Sequence, residues 1–276
     1  MQITQAQIDR ERNRLLPPGS VGDRAECLEA IGRLGFVWVF TPGTGLLPAL
    51  FPALATNSDG TRWDWMWNWK DEFAASRQAY YGKVVAVKPT FVSREWLPVF
   101  YALTGNTGDP DDDLVHVSES VRLNEMALKA FGYIREYGPT GTRTLQSKLT
   151  DGTRPMKNAL DKGLDQLDAF MLIVKCGTEG GHAIANVWDL FPRFHPEAVD
   201  AGTEIPTREA AVRLVRQFFT LTPALSERQF ARIFPWNEAH QQKAIARLVA
   251  AGELEPCQVG GKPGLKRAGF LPPETP

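Results

Sequence analysis

The chain has 276 residues, of which 43% are hydrophobic and 23% charged, as in an ordinary globular protein with room for two or three small domains. Its formal net charge of −1 excludes the overall basic field of a strong non-specific nucleic-acid binder. A site for a polyanion therefore has to be local.

The three cysteines, Cys27, Cys176 and Cys257, lie far apart and lack a Cys-x-x-Cys pattern. This spacing supports neither a disulfide framework nor a zinc site, and we expect no metal and no cofactor. No apolar run is long enough to span a membrane, and the first residues do not follow the plan of a signal peptide. The sequence therefore predicts a cytoplasmic protein without a membrane partner.

Helix and strand signals predict a helical, winged-helix-like unit over residues 1–107. A mostly polar helix is predicted over 5–16, and a second helix over 23–34 has an aspartate at its capping position. A buried strand is predicted over 36–40. The two glycines in 42–45 are not followed by the Lys-Ser or Lys-Thr pair of a phosphate loop, so we interpret this segment as a plain turn.

Residues 62–70 carry four of the eight tryptophans, at every second position. In an extended strand all four indoles would lie on one face. This face either fills the core or forms an aromatic wall on which an unpaired base stacks, bordered by Arg62 and Lys70. An aromatic pocket of the second kind would comprise Trp38, Trp65, Trp67, Trp69 and Tyr81.

Two short apolar runs, 84–87 and 90–93, predict a hairpin that could be a third wing, followed by a helix through Leu103. Residues 108–118 are rich in aspartate and show no helix or strand pattern. They lack the central glycine and distal glutamate of a calcium loop, so we predict a solvated acidic linker.

Residues 119–196 predict a winged helix, because three helical patterns are followed by a hairpin. The first helix is expected to start at the capping residue Ser120 and to stop at Gly138 and Pro139. The remaining elements are predicted at 142–149, 153–167, 171–174 and 184–188, with a flexible tip at 177–181. We interpret His195 as a structural imidazole, since no acid or nucleophile lies at a sequence spacing typical of a catalytic site.

The same pattern recurs over residues 207–270 with a constant offset of 84 positions. The corresponding pairs are Phe131 and Val215, Ile134 and Phe218, Pro139 and Pro223, Leu149 and Ile233, and Leu164 and Leu248. Ser226 and Gln229 predict a capping box, 260–264 a wing tip, and 271–276 a disordered tail. The predicted fold class is a helix-rich α+β chain of tandem winged helices, two clear in the pattern and a third at the N-terminus.

Basic side chains on the third helices and the second wing are the candidate phosphate contacts. They are Lys157, Lys162, Lys243, Arg247, Lys262, Lys266 and Arg267.

Several stretches resemble those of a known family: residues 33–40, the Gly138 and Pro139 turn, the segment 188–193, the tryptophan-rich segment, and the runs 80–83 and 88–91. They are similar to the AlkZ-like proteins, winged-helix DNA glycosylases that excise alkylated bases and unhook interstrand crosslinks, and especially to shorter AlkZ-related bacterial proteins. The resemblance implies three stacked winged helices with a channel for double-stranded DNA between them.

The catalytic motif of that family is absent. The enzymes carry Gln-x-Gln or Gln-x-Asp after a Leu-Gly pair; placing Gly35 on that glycine puts Trp38 and Phe40 at the two polar positions. Neither side chain can orient water for attack or stabilise a developing positive charge. No catalytic residue therefore transfers to this chain.

Three hypotheses follow, and they leave open whether the chain is an enzyme. The first is a DNA-binding protein, with intact or damaged duplex as its partner, that lacks the glycosylase motif. The second is an active glycosylase whose water-activating carboxylate is Asp64, Asp71 or Glu72. The third is a protein-interaction module without enzymatic activity, which the near-neutral net charge favours.

Overall fold

The structure is a computed structural model that describes residues 1–40, 45–56, 58–180, 185–230 and 233–271. Most of the predicted turn at 42–45, part of the hairpin tip at 177–181, and the tail beyond Leu271 lie outside the described residues. Every helix in the described ranges is too short or too polar to traverse a bilayer.

The first unit follows a short N-terminal strand and helix, β1 (Gln2–Ile3) and α1 (Gln5–Leu15). Its elements come in the order helix, strand, helix, helix and hairpin. They are α2 (Arg24–Leu34), β2 (Phe36–Trp38), α3 (Leu50–Ala53), α4 (Asp59–Ala75), β3 (Ala79–Val85) and β4 (Lys88–Ser93). The strands form an antiparallel sheet in the order β2-β4-β3. Two helices, α5 (Leu97–Thr104) and α6 (Pro110–Ser120), lead to the next unit.

The second unit repeats this order and this sheet. Its elements are α7 (Glu125–Tyr137), β5 (Thr140–Gly141), α8 (Thr142–Leu149), α9 (Arg154–Ala169), β6 (Ile173–Glu179) and β7 (Ala185–Leu190). The sheet order is β5-β7-β6, so the strand that precedes the two helices again pairs with the last strand of the hairpin. The connection onward contains α10 (Phe191–Phe194) and α11 (Pro196–Thr203).

The third unit repeats the order once more. Its elements are α12 (Thr207–Leu221), β8 (Ala224–Ser226), α13 (Glu227–Phe230), α14 (Glu238–Ala250), β9 (Leu254–Val259) and β10 (Lys262–Arg267). The sheet order is β1-β9-β10-β8, in which the N-terminal strand β1 adds in parallel to β9. The two ends of the chain therefore meet in one sheet.

Local capping explains where several helices begin and end. The Asp23 carboxylate accepts from the Glu26 amide at the start of α2, and Gly35, with φ near +80°, follows its last turn. The predicted capping box is present: the Ser226 hydroxyl and the Gln229 side chain each bond the other's backbone amide. The 84-residue offset also relates equivalent elements, since Ile134 on α7 and Phe218 on α12 are both fully buried.

The first and third units share one hydrophobic core, whereas the second unit has a core of its own. One large cluster joins the first and third units through α5, where Phe36 lies 5.2 Å from Phe100 and 6.4 Å from Phe218 between ring centroids. The second unit has its own cluster around α7, α9 and its sheet. Contacts between the second unit and the rest of the molecule therefore depend on a few interfaces, one of which joins α4 to β6.

The extended arrangement considered for the tryptophan-rich segment is not adopted, and two predictions of local structure are wrong. The tryptophan-rich segment is the helix α4, because Ser58 caps it and it runs through Ala75 into the core. The predicted linker contains the helix α6, for which Asp109 accepts from two amides of the first turn. Ser120 ends α6, and Asn124 caps the next helix instead.

Candidate functional site

The tryptophans of α4 form two pairs on different sides of the helix, because positions four apart share a face and positions two apart do not. Trp63 and Trp67 are 48% and 53% exposed, and their ring centroids are 6.2 Å apart. Phe40 stacks on Trp63 at 5.1 Å, and Phe51 lies 4.7 Å from the same ring. These four residues form an aromatic cluster at the surface of the first unit.

The other two tryptophans face inward. Trp65 stacks on Trp69 at 5.2 Å, and Trp69 continues to the buried Phe73 at 6.4 Å. Trp38 is 1% exposed, and its ring N–H donates to the Val85 carbonyl at 3.3 Å. The residues of the predicted aromatic pocket are therefore divided: Trp38 lies in the core, Trp65 and Trp69 pack beside it, and Trp67 faces solvent.

Beneath Trp67 two lysines share one carboxylate. The Lys70 ammonium lies 2.5 Å from Asp71 Oδ1, and the Lys175 ammonium of β6 pairs with the same oxygen. Lys70 Nζ also lies 4.2 Å from the Trp67 ring centroid, and Lys175 Nζ lies 5.2 Å from that of Tyr81. This lysine-aspartate cluster joins the first unit to the second.

The cluster is largely removed from water. The side chains of Lys70 and Lys175 are 9% and 3% exposed, and that of Asp71 is 16% exposed. Burial, followed by the charge of Lys70, lowers the pKa of Lys175 from 10.5 to about 8, against the opposing effect of Asp71. A lysine in this state supplies neutral amine near physiological pH.

The three carboxylates considered from sequence have different surroundings. Asp64 is exposed on α4. Glu72 is about half exposed and pairs with Arg24 at 2.9 Å. Of the three, only Asp71 lies within a cluster of buried charges and beside an exposed tryptophan.

A second buried carboxylate, Asp168 of α9, lies between the first two units. It accepts from the Lys83 backbone amide at 3.2 Å and from the Tyr80 hydroxyl at 3.5 Å. Burial raises its pKa to about 7. Asp168 was not among the residues predicted from sequence, although it follows Leu164 by four positions on the buried face of the helix, where an acid is unusual.

Tyr80 also lines a cavity of about 640 Å³ with His195, Arg77 and Arg94. His195 is 6% exposed, and burial, with smaller effects of the two arginines, lowers its pKa to about 4 against the opposing charge of Glu197. The ring packs against Phe191 and Phe194 at 5.2 and 4.9 Å. Its surroundings are those of a neutral imidazole packed among aromatic rings.

The predicted phosphate contacts differ in exposure. Lys162, Lys243, Arg247 and Lys262 are exposed, while Lys157 and Arg267 are half-buried. Lys266 is 5% exposed and pairs with Glu255 at 2.5 Å, which leaves it poorly placed to reach a phosphate. On α9 the lysines alternate with Asp161 and Asp165, so that helix presents mixed charge.

A basic concave surface is formed by a groove of about 460 Å³ between α13 and the β9-β10 turn. Arg228 and Lys262 line it together with Gln5 and Gln229, and none of its described lining residues is a carboxylate. Arg228 was not among the phosphate contacts predicted from sequence. The signal available was its place inside the Ser226 capping box, at the start of a helix beside a wing.

In the described ranges, no three side chains of the metal-ligating types lie close enough to hold an ion.

Comparison with known proteins identifies similarities over most of the chain. A model of a protein family described as AlkZ related matches residues 22–235. The fold is similar to that of the Streptomyces sahachiroi DNA glycosylase AlkZ, with a TM-score of 0.54 and 14% sequence identity, over 99% of this chain and 74% of that one. No curated protein matches the chain in sequence.

Proposed function

The chain belongs to the AlkZ-related family, and from this premise we propose that the protein binds double-stranded DNA through three winged helices. The helix, strand, helix, helix, hairpin order of each unit supports this interpretation. In such units the third helix is the element that enters a groove of DNA. Here that position is taken by α4, α9 and α14, and the three hairpins would be the wings.

The observation that carries the proposal is the groove with Arg228 and Lys262, on a chain whose fold is similar to that of a DNA glycosylase. Two cations without a carboxylate among the described lining residues suit a phosphate backbone. Neither residue has an ion-pair partner in the described part of the chain. Further phosphate contacts would come from Lys157, Lys162, Lys243, Arg247 and Arg267.

The protein would bind DNA without the usual hydrolytic step of the family's enzymes. At the two positions that the resemblance assigns to their polar motif, Trp38 is buried and Phe40 packs against Trp63. A phenyl ring offers water no polar partner, and the indole N–H of Trp38, already donated to the Val85 carbonyl, cannot accept a proton from water. This supports a role in DNA repair in which the protein recognises or protects DNA.

Titrating a labelled duplex by fluorescence anisotropy at several salt concentrations tests the proposal. We expect the logarithm of the binding constant to fall with the logarithm of salt by about 0.9 per neutralised phosphate. Arg228→Gln and Lys262→Gln should each reduce this slope by about 1. Lys129→Gln, the same charge change at an exposed residue of α7, is the matched control. Absence of binding at low salt, or affinity independent of salt, contradicts the proposal.

A second candidate function, glycosylase activity with Asp71 as the water-activating carboxylate, is favoured by one observation. Asp71 adjoins Lys70, whose ammonium lies over the ring of the exposed Trp67, a surface on which a base could stack. The test is release of abasic sites from duplexes with alkylated bases or a crosslink. Loss of release in Asp71→Asn but not in Asp64→Asn supports this function, and no release from any lesion by the wild type rejects it.

A further inference from the structure

We propose that Lys175 is an amine nucleophile that forms an imine with an aldehyde, namely the ring-opened deoxyribose of an abasic site in DNA. The choice of this aldehyde rests on the proposed function; the nucleophile itself rests on the lysine-aspartate cluster. Lys175 lies on β6 of the second unit and Lys70 and Asp71 on α4 of the first, so the cluster forms only when the two units dock.

The arrangement of charges sets this cluster apart from an ordinary ion pair. Both ammonium groups use the same oxygen, Asp71 Oδ1, and neither has a second acidic partner in the described part of the chain. One positive charge is thus left uncompensated among side chains that are at most 16% exposed. Buried surplus charge of this kind is costly unless one of the two lysines loses its proton.

The consequence is a lysine prepared for nucleophilic attack. With a pKa of about 8, Lys175 is roughly one-quarter neutral amine at pH 7.5, compared with about 0.1% for a lysine of ordinary pKa. A desolvated lysine beside a second cation is a known way of activating an amine for imine formation. Tyr81, whose ring faces both ammonium groups, adds an apolar wall to the cluster.

The reaction balances with the groups present. The lone pair of Lys175 Nζ attacks the aldehyde carbon and forms a C–N bond, while the carbonyl oxygen takes up a proton to give a carbinolamine. The C–O bond then breaks as a second proton reaches that oxygen, so water leaves and the C=N bond forms. The two protons that the oxygen gains equal the two that Lys175 Nζ loses. Lys70 and Asp71, in contact with each other and with Lys175, are the groups that can transfer them.

An aldehyde would reach the cluster from the side on which Trp67 lies over Lys70. The Trp67 side chain is 53% exposed, it lies over Lys70, and within the described residues its ring N–H has no hydrogen-bond partner. Exposed side chains change rotamer within nanoseconds, so rotation of this indole would uncover Lys70 on that timescale.

The first experiment uses a small aldehyde and does not depend on DNA binding. The wild-type protein is incubated with 2-deoxyribose 5-phosphate and cyanoborohydride, and modified lysines are identified by peptide mass spectrometry. At pH 7.5 we expect Lys175 to be labelled at least about tenfold faster than the exposed Lys162, because a far larger fraction of it is neutral. Labelling of Lys175 no faster than that of Lys162 overturns the proposal.

Variants separate a nucleophile from a structural lysine. Lys175→Arg keeps the charge and removes the amine, so the rapid label should disappear, whereas Lys83→Arg should leave it unchanged. Lys70→Gln removes the neighbouring cation, so the pH at which Lys175 is half-maximally labelled should rise. If that pH does not move, Lys70 does not activate the amine. If a variant fails to fold, the comparison of Lys175 with Lys162 in the wild type still tests whether Lys175 is an activated amine.

The second experiment tests the substrate. A duplex with one natural abasic site is mixed with the protein and borohydride, and the covalent product is quantified on a denaturing gel. Binding is measured separately on a duplex of the same sequence in which a tetrahydrofuran analogue, which has no aldehyde, replaces the abasic site. We expect a covalent product with the wild type and none with Lys175→Arg. Binding of the analogue without a covalent product overturns the abasic-site assignment and leaves the proposed function standing. If the analogue does not bind, the proposed function is overturned. The reactivity of Lys175 is then judged from the small-aldehyde experiment by itself.

Discussion

Lys175 and Asp71 form an ion pair between the second and first units, although 104 residues separate them in the sequence. Lys70 shares the same oxygen of Asp71, so this one carboxylate partly neutralises two ammonium groups at the junction of α4 and β6. Stability at this junction should therefore depend strongly on Asp71 and on pH.

Replacing Asp71 with asparagine should destabilise the protein by about 3 kcal/mol, because two buried ammonium groups lose their counter-charge. The measurement is the free energy of unfolding in urea near pH 7. Asp64→Asn is the control, since Asp64 is exposed on the same helix and its replacement should change stability by less than about 0.5 kcal/mol. Equal effects of the two substitutions would mean that the lysine-aspartate cluster does not stabilise the junction.

Lys175 should make the protein more stable as pH rises from about 8 to 10.5. Its pKa is about 8 in the folded protein and 10.5 in the unfolded chain. Between these values the unfolded chain binds more protons, so the free energy of unfolding increases with pH. Because other groups titrate in the same range, the quantity to measure is the difference between the wild type and Lys175→Met at each pH. A difference that stays constant over this window would contradict the lowered pKa.

His195 should make the protein less stable in acid. Its pKa falls from 6.5 in the unfolded chain to about 4 in the folded protein, because the ring is buried. The unfolded chain therefore binds more protons between these values, and the stabilisation present above pH 6.5 is lost as pH falls, by about 2 kcal/mol between pH 7 and pH 5. In urea unfolding His195→Gln should lack this part of the acid dependence. An unchanged acid dependence in the variant would show that the imidazole titrates normally.

Gly163 and Gly132 offer a matched pair of substitutions on two helices that pack together, α9 and α7. A Cβ on Gly163 would lie 2.6 Å from the Ala127 backbone nitrogen, whereas one on Gly132 would meet nothing within 4 Å. Gly132→Ala should stabilise the protein by about 0.5–1 kcal/mol through helix propensity. Gly163→Ala should destabilise it by about 1–3 kcal/mol, because the helices have to separate. Thermal unfolding measures both, and stabilisation by both would mean that α7 and α9 are not in close contact.

Local signals were enough to predict many of the elements. Helix α2 begins after Asp23 and ends before Gly35, and the Ser226 box starts α13, because caps act within a single turn. The 84-residue offset identified equivalent helices in the second and third units, since the buried faces of both follow the same helical period.

The tryptophan-rich segment shows where such reasoning fails. Alternation of large apolar residues is the signal of a half-buried strand, but a helix that is apolar on two opposite sides produces the same alternation. In α4, Trp65 and Trp69 face the interior and Trp63 and Trp67 face solvent and one another. The segment is held as a helix by contacts such as that of Trp63 with Phe40, a residue that no local window around the tryptophans contains.

The sequence by itself determined the caps of several helices, the recurrence of one pattern in the second and third units and the resemblance to AlkZ-like proteins, because these depend on capping residues, periodicity and short motifs. Only the tertiary structure decided the positions of Lys266 in an ion pair, of Asp168 in the interior, and of Lys70, Asp71 and Lys175 in one cluster. The physical reason is that burial and pairing of charges arise from contacts between elements that are far apart in the chain, and a charged residue carries no local sign of whether it will meet solvent or a partner.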